Sequence, residues 1–126
     1  MTITLLYAGV LALFAVFLAN LVLYVRLRPR AQPAWRAEAV ERVQGNFVEN
    51  VPLALILLAL LEHGGLSGTA LHLCGTTLLM LRALHAWGLG RYEGANYPRL
   101  IGAQGTFLLL SIMGIMAIAL SLGSVH

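Results

Sequence analysis

Four long apolar stretches, at residues 3–25, 46–61, 66–87 and 100–122, leave few folds open to this chain. Each is about long enough to cross a hydrocarbon core ~30 Å thick at ~1.5 Å per residue, once flanking polar turns are added. Of 126 residues, 60% are hydrophobic and 10% charged, and the mean hydropathy is +0.84, which is not the composition of a water-soluble domain. The second stretch is the shortest uncharged run, lying between Glu49 and Glu62. It spans only if the turns from Arg42 to Glu49 continue the helix into the headgroup region. The chain therefore reads as all-α, a membrane-spanning four-helix bundle in a single domain over residues 1–126, with spans at about 3–25, 36–62, 66–88 and 98–122.

The punctuation between the stretches agrees with helices. Pro29 and Pro33 make the first connection an irregular elbow. Gly64 and Gly65 end the second helix in a tight turn, which makes helices two and three antiparallel neighbours. Gly88 and Gly90 close the third, and Pro98 suits the first turn of the fourth. Pro52 falls inside the second span, where it removes one backbone hydrogen bond and is expected to bend the helix. Gly102, Thr106, Ser111 and Gly114 offer small residues for close helix approach. The first stretch is expected to be a retained helix rather than a signal peptide, because no basic residue precedes Arg26 and the apolar run exceeds a signal's core.

All eight basic side chains are arginine, and their placement is lopsided. Arg26, Arg28, Arg30, Arg36 and Arg42 lie between the first and second spans, and Arg82, Arg91 and Arg99 surround the connection between the third and fourth. By the positive-inside rule both connections face the cytoplasm, with the termini and the 62–68 turn outside. The pI near 9.6 then reflects topology and anionic headgroups; no nucleic-acid-binding module is present. Cys74 has no cysteine partner and reads as a packing residue. With no HxxxH, HExxH or cysteine cluster, no metal site is expected.

The chemistry concentrates in the segment from Glu41 to Pro52. Arg42, Asn46 and Glu49 are spaced i, i+4, i+7 and share one helix face. A charged residue at the centre of a membrane helix costs on the order of 2.5–3.5 kcal/mol, so such a face must pair, line a wet cavity or hold a ligand. Gln44 and Asn50 lie beside it, Arg82 and His85 are spaced i, i+3 near the same boundary, and Arg99, Tyr92 and Tyr97 flank the fourth helix. Pairing of Glu49 with Arg42 or Arg82 is one reading, and positive-inside placement with an aromatic belt accounts for several of the arginines and tyrosines. Glu38 and Arg42, at i, i+4, form a candidate ion pair. A zwitterionic ligand with two carboxylates and an amine also fits. Guanidiniums hold carboxylates bidentately, and a carboxylate takes the amine or an amide N–H. One further close cation is enough to stabilise a thiolate. Those are the demands of glutathione.

These residues resemble the MAPEG family, membrane-associated proteins in eicosanoid and glutathione metabolism. Its four-helix members carry Arg-x-x-x-Asn-x-x-Glu followed closely by Pro on the second helix, and Arg42, Asn46, Glu49 and Pro52 match in order and spacing. The segment from Arg82 to Ala86 resembles the Arg-x-x-His stretch of the third helix, and Arg99 falls where the family has its fourth-helix arginine. The resemblance covers essentially the whole chain and is closest to the small bacterial branch. It implies a homotrimer in a bacterial inner membrane, with glutathione as co-substrate bound between subunits near the cytoplasmic face. It further implies that Arg42, Asn46 and Glu49 grip the tripeptide while Arg99 supports the thiolate from the neighbouring chain. Gln44 matches a position used by some members. Tyr92, seven residues before Arg99, matches a tyrosine that contacts glutathione in leukotriene-type members. Asn50 stands where some members have tyrosine, and Leu100 where prostaglandin-type members have serine, which argues against a specific eicosanoid synthase.

The function expected is a glutathione-dependent transferase or peroxidase, with Arg99 as the catalytic residue. Arg42, Gln44, Asn46, Glu49, Arg82 and Tyr92 would hold glutathione, and the second substrate is a lipophilic electrophile or hydroperoxide arriving from the bilayer. A non-catalytic binding or scaffold protein on the same fold is the main rival. A small multidrug exporter is disfavoured, because such transporters need a carboxylate within the membrane, typically in the first helix, and the first span here offers Asn20 and threonines.

Overall fold

The computed structural model describes residues 2–28, 36–91 and 97–123, and only the backbone of 89–91. It contains four α-helices: α1 (Thr2–Leu27), α2 (Ala37–His63), α3 (Gly68–Arg91) and α4 (Tyr97–Gly123). Each buries a stripe at three- and four-residue spacing, the period that keeps one helix face turned inward. On α1 the stripe is Thr4, Tyr7, Leu11, Leu18, Val22 and Val25. On α2 it is Val40, Val43, Phe47, Val51, Ala54, Leu58 and Leu61. The shorter stripe of α4 is Gly102, Thr106, Leu109 and Met113. Helices α2 and α3 pack on each other, and each also packs on both α1 and α4.

The outward faces are apolar as well, with Leu13, Phe17, Ile56, Leu73, Leu108 and Ile115 all exposed. A helix surface of this kind is matched to lipid, not to water. Among the described residues, three helices (α1, α2 and α4) are long and apolar enough to cross a membrane. The third has 24 residues, but His72, Arg82 and His85 dilute its apolar run. Arg82 and His85 are buried against neighbouring helices, so their polarity is hidden from the lipid side.

Local chemistry explains the helix ends. The N–H of Leu66 reaches the carbonyl of Leu61 at 3.0 Å, and that of Gly65 reaches Glu62 at 3.2 Å. Gly65 has φ +94°, a conformation glycine adopts without steric cost. Together these form a Schellman cap, and the chain turns straight into α3. At the same end the Glu62 carboxylate accepts the backbone N–H groups of Ile3 at 2.9 Å and Thr4 at 3.0 Å. The last turn of α2 thus caps the first turn of α1, where free donors and the helix dipole favour an anion. Tyr7 donates or accepts through its hydroxyl to His72 Nδ1 at 2.9 Å and Thr76 Oγ1 at 3.0 Å. A Cβ on Gly75 would lie 2.4 Å from the Tyr7 ring, so the glycine makes room for it.

The α3–α4 contact is equally close. A Cβ on Gly102 would meet the Leu81 carbonyl oxygen and His85 Cβ, both at 2.7 Å. Gly102 and Thr106 therefore lie in a helix interface, whereas Ser111 is exposed and a Cβ on Gly114 would meet nothing within 4 Å. Cys74 is buried in the core beside Leu71 and Leu78. Phe14 of α1 stacks on Phe47 of α2 at 5.5 Å between ring centres. Helix α2 runs through Pro52 without interruption.

Candidate functional site

The buried stripe of α2 fixes where its polar residues point. Val43, Phe47 and Val51 face the core, and Arg42 and Glu49 fall on the far side of the helix, both exposed. Asn46 lies at the edge between the two and is half-buried. Gln44 is two residues from Arg42, about 200° around the helix, so it sits on a different face from the Arg42–Asn46–Glu49 row. Asn50 turns back on its own helix, donating from Nδ2 to the Asn46 carbonyl at 2.7 Å.

From α3, Arg82 reaches into the space between α2 and α4 and is only 2% exposed. Its Nη1 donates to Asn46 Oδ1 at 2.5 Å. Its Nη2 donates to the Gly102 carbonyl at 3.0 Å and to Thr106 Oγ1 at 2.8 Å. Thr106 in turn donates to the Gly102 carbonyl at 2.6 Å. Arg82 Nε is buried with no acceptor. One guanidinium thus joins three helices through neutral oxygens, an arrangement that removal of either side would leave with unpaired buried groups.

Three expected pairings are not made, one of them that of Glu49 with Arg42. Glu49 does not meet Arg82: the arginine lies inside the bundle and the glutamate on its surface. The 3.6-residue repeat sets α2's core stripe so that Asn46, and not Glu49, is the member of the row nearest α3. Glu38 and Arg42 do not pair either; Glu41 receives Arg26 instead, with Nη2 to Oε1 at 2.5 Å. That bridge ties α1 to α2 at the arginine-rich end and is exposed at both partners. Arg99, partly buried at the start of α4, lies within electrostatic range of Arg42 and His85. Tyr92 lies outside the described residues. Tyr97 is 79% exposed.

The structure therefore brings Arg82 together with Asn46 and leaves Arg42 and Glu49 on an outer face. Sequence reasoning noted Thr106 only as a small packing residue. Its hydroxyl is a partner of Arg82, and the signal was its i+4 spacing from Gly102 opposite the arginine of α3. Among the described residues no three His, Cys, Asp or Glu side chains gather as metal ligands. Two apolar grooves, one lined by Leu60, Gly64 and Leu120 and one by Thr77, Met80 and Leu84, contain none of these polar residues. Chemically, the outer face of α2 offers a cation, an amide and a carboxylate in a row about 11 Å long. Such a row suits an extended ligand with an acceptor at one end and an N–H at the other.

Among known proteins, the chain is similar to the Inner membrane protein YecN of Escherichia coli strain K12. The two are 33% identical over 88 residues, covering 61% of this chain and 67% of that protein. The YecN of E. coli O6:H1 strain CFT073 matches to the same extent. No solved structure gives a significant match. The model of the MAPEG family matches residues 4–119, nearly the whole helical bundle, and the chain belongs to that family.

Proposed function

We propose that this protein is a membrane-embedded, glutathione-dependent transferase or peroxidase acting on lipophilic electrophiles or hydroperoxides. The observation that carries this reading is Glu49, exposed on α2 and partnered by no described residue of its own chain. It stands 13 residues before Glu62, about 20 Å along the helix, towards the membrane boundary at the arginine-rich end. An exposed carboxylate on the edge of an apolar helix face is stabilised by cover or a partner. A second copy of the chain and a ligand with an N–H group provide both, which supports a homotrimer with the site at its subunit interfaces.

In this reading Arg42 and Asn46 hold carboxylate or carbonyl oxygens of glutathione, and Glu49 takes its amine or amide N–H. Gln44 and Tyr92 complete the binding residues, and Arg82 supports the site from inside the bundle through Asn46. Arg99 of the partner subunit stabilises the thiolate, and no protein nucleophile is required. The thiolate sulfur then attacks an electrophilic carbon, a C–S bond forms, and the leaving group departs with the electron pair. With a hydroperoxide, sulfur attacks the terminal oxygen, the O–O bond breaks, and the alkoxide takes a proton. The resulting glutathione sulfenic acid is reduced by a second glutathione to the disulfide and water. Helix α3 crosses the membrane beside α4, the arginine-rich connections face the cytoplasm, and the membrane is a bacterial inner membrane like that named for YecN.

Calorimetry of glutathione binding to detergent-purified protein tests the site. Wild type is expected to bind and Glu49→Gln to lose most of that affinity; equal binding by both would remove Glu49 from the site. Turnover against a panel of electrophiles and hydroperoxides then separates an enzyme from a binding module. Arg99→Ala should bind glutathione yet show no thiolate absorbance in the ultraviolet, and an unchanged thiolate signal at saturation sinks the mechanism.

A further inference from the structure

The hydrogen bonds around Arg82 run in one direction, and that direction has a chemical consequence at Asn46. A guanidinium carries donors and no acceptor, so the Asn46 atom 2.5 Å from Arg82 Nη1 is necessarily the amide oxygen. The Asn46 NH2 group therefore points away from Arg82, and no described residue of the chain accepts from it. Asn46 sits beside the exposed face that carries Arg42 and Glu49. Arg82 is itself held against rotation. Thr106 commits its one hydroxyl hydrogen to the Gly102 carbonyl at 2.6 Å, which leaves only lone pairs for Arg82 Nη2 at 2.8 Å. The Gly102 carbonyl accepts from both. Apart from Arg82 Nε, which finds no acceptor, the donors of Thr106 and Arg82 all point toward oxygens, and the surplus donors emerge at Asn46.

We propose that Arg82, Thr106 and Gly102 form a positioning unit that makes Asn46 a dedicated hydrogen-bond donor, so that the ligand group seated there is a carboxylate or peptide carbonyl oxygen. The identity of the ligand rests on the glutathione reading; the orientation of the amide does not. Arg82 has no carboxylate among its partners, so its charge polarises the Asn46 amide and strengthens the outward N–H groups toward an anionic acceptor. Arg82 and Thr106 act through Asn46 and do not touch the ligand. Glu49, in the same row, takes the opposite polarity, and the pair sets the direction in which an extended ligand lies.

Asn46→Asp separates the two roles of this side chain. The aspartate keeps an oxygen for Arg82, and adds charge compensation, but has no NH2. Without ligand, the melting temperatures in detergent should rank Asn46→Asp at or above wild type, with Asn46→Ala below both. Reduced glutathione should bind Asn46→Asp about tenfold more weakly than wild type, or worse, because a donor has become a repelling acceptor. Thr106→Val should lower glutathione affinity with Asn46 untouched, and Thr106→Ser should restore it. If Asn46→Asp melts below Asn46→Ala, or binds glutathione as wild type does, the inference is overturned. Should wild type ignore glutathione while the melting order holds, the glutathione reading fails and the positioning unit stands.

Discussion

The two ends of the bundle handle polar residues in opposite ways. At the Gly64–Gly65 end, the Glu62 carboxylate and the Tyr7 hydroxyl find partners inside the chain: Glu62 caps α1, and Tyr7 joins His72 and Thr76. At the arginine-rich end, Arg82 is consumed the same way, but Arg42 and Glu49 point outward and Asn46 offers unused donors. A closed polar cluster is a fastening. An open one at membrane depth has unmet electrostatic demand, and only another molecule can meet it. The contrast separates structural polarity from functional polarity without recourse to residue type, since arginine and glutamate occur on both sides of it.

Substitutions can break the contrast, and the largest effect is expected at Arg82. Arg82→Ala empties a buried volume, strands Asn46 Oδ1 and leaves the Gly102 and Thr106 oxygens one donor short, so unfolding in detergent should lose about 3 kcal/mol or more. Next is Gly102→Ala, whose Cβ meets backbone and side-chain atoms of α3 at 2.7 Å. Overpacking there should cost about 1–3 kcal/mol, read by the same unfolding assay. Glu62→Ala should lower the melting temperature by less than Arg82→Ala and leave glutathione binding unchanged, as befits a fastening. Glu49→Gln is the sharpest test of the open end: stability within about 0.5 kcal/mol of wild type, with glutathione affinity lost. Last is Glu41→Gln at the exposed Arg26 bridge, with glutathione binding unchanged and under about 1 kcal/mol of stability lost. If Glu49→Gln proved as destabilising as Arg82→Ala, the open face would be another fastening and the contrast would collapse.

Several of these features were legible beforehand. The Arg42, Asn46, Glu49 row follows from helical periodicity, and Gly64–Gly65 from the demands of a helix stop. Burial of Cys74 and the closeness of Gly102 and Thr106 to another helix follow from residue size and polarity. The Glu49–Arg82 and Glu38–Arg42 pairings were plausible by charge alone and are not formed. Charge attraction acts at many distances, so it names candidates but not partners; the rotation of α2 about its axis selects among them. The cap of α1 by Glu62 had no sequence signal, because its donors lie 58 and 59 residues away.

By itself the sequence determined four helices, three of them apolar enough to cross a membrane, the turn at Gly64–Gly65 and a polar row on α2, since these depend on local spacing and on transfer of side chains out of water. Its match to the MAPEG family extends over the same helices. Only the tertiary structure decided which member of that row faces inward. Packing of Val43, Phe47 and Val51 into the core turns Asn46 toward Arg82 and leaves Arg42 and Glu49 outside. The reason is geometric: a helix has one rotation about its axis, the apolar stripe sets it, and the polar residues take the directions that remain.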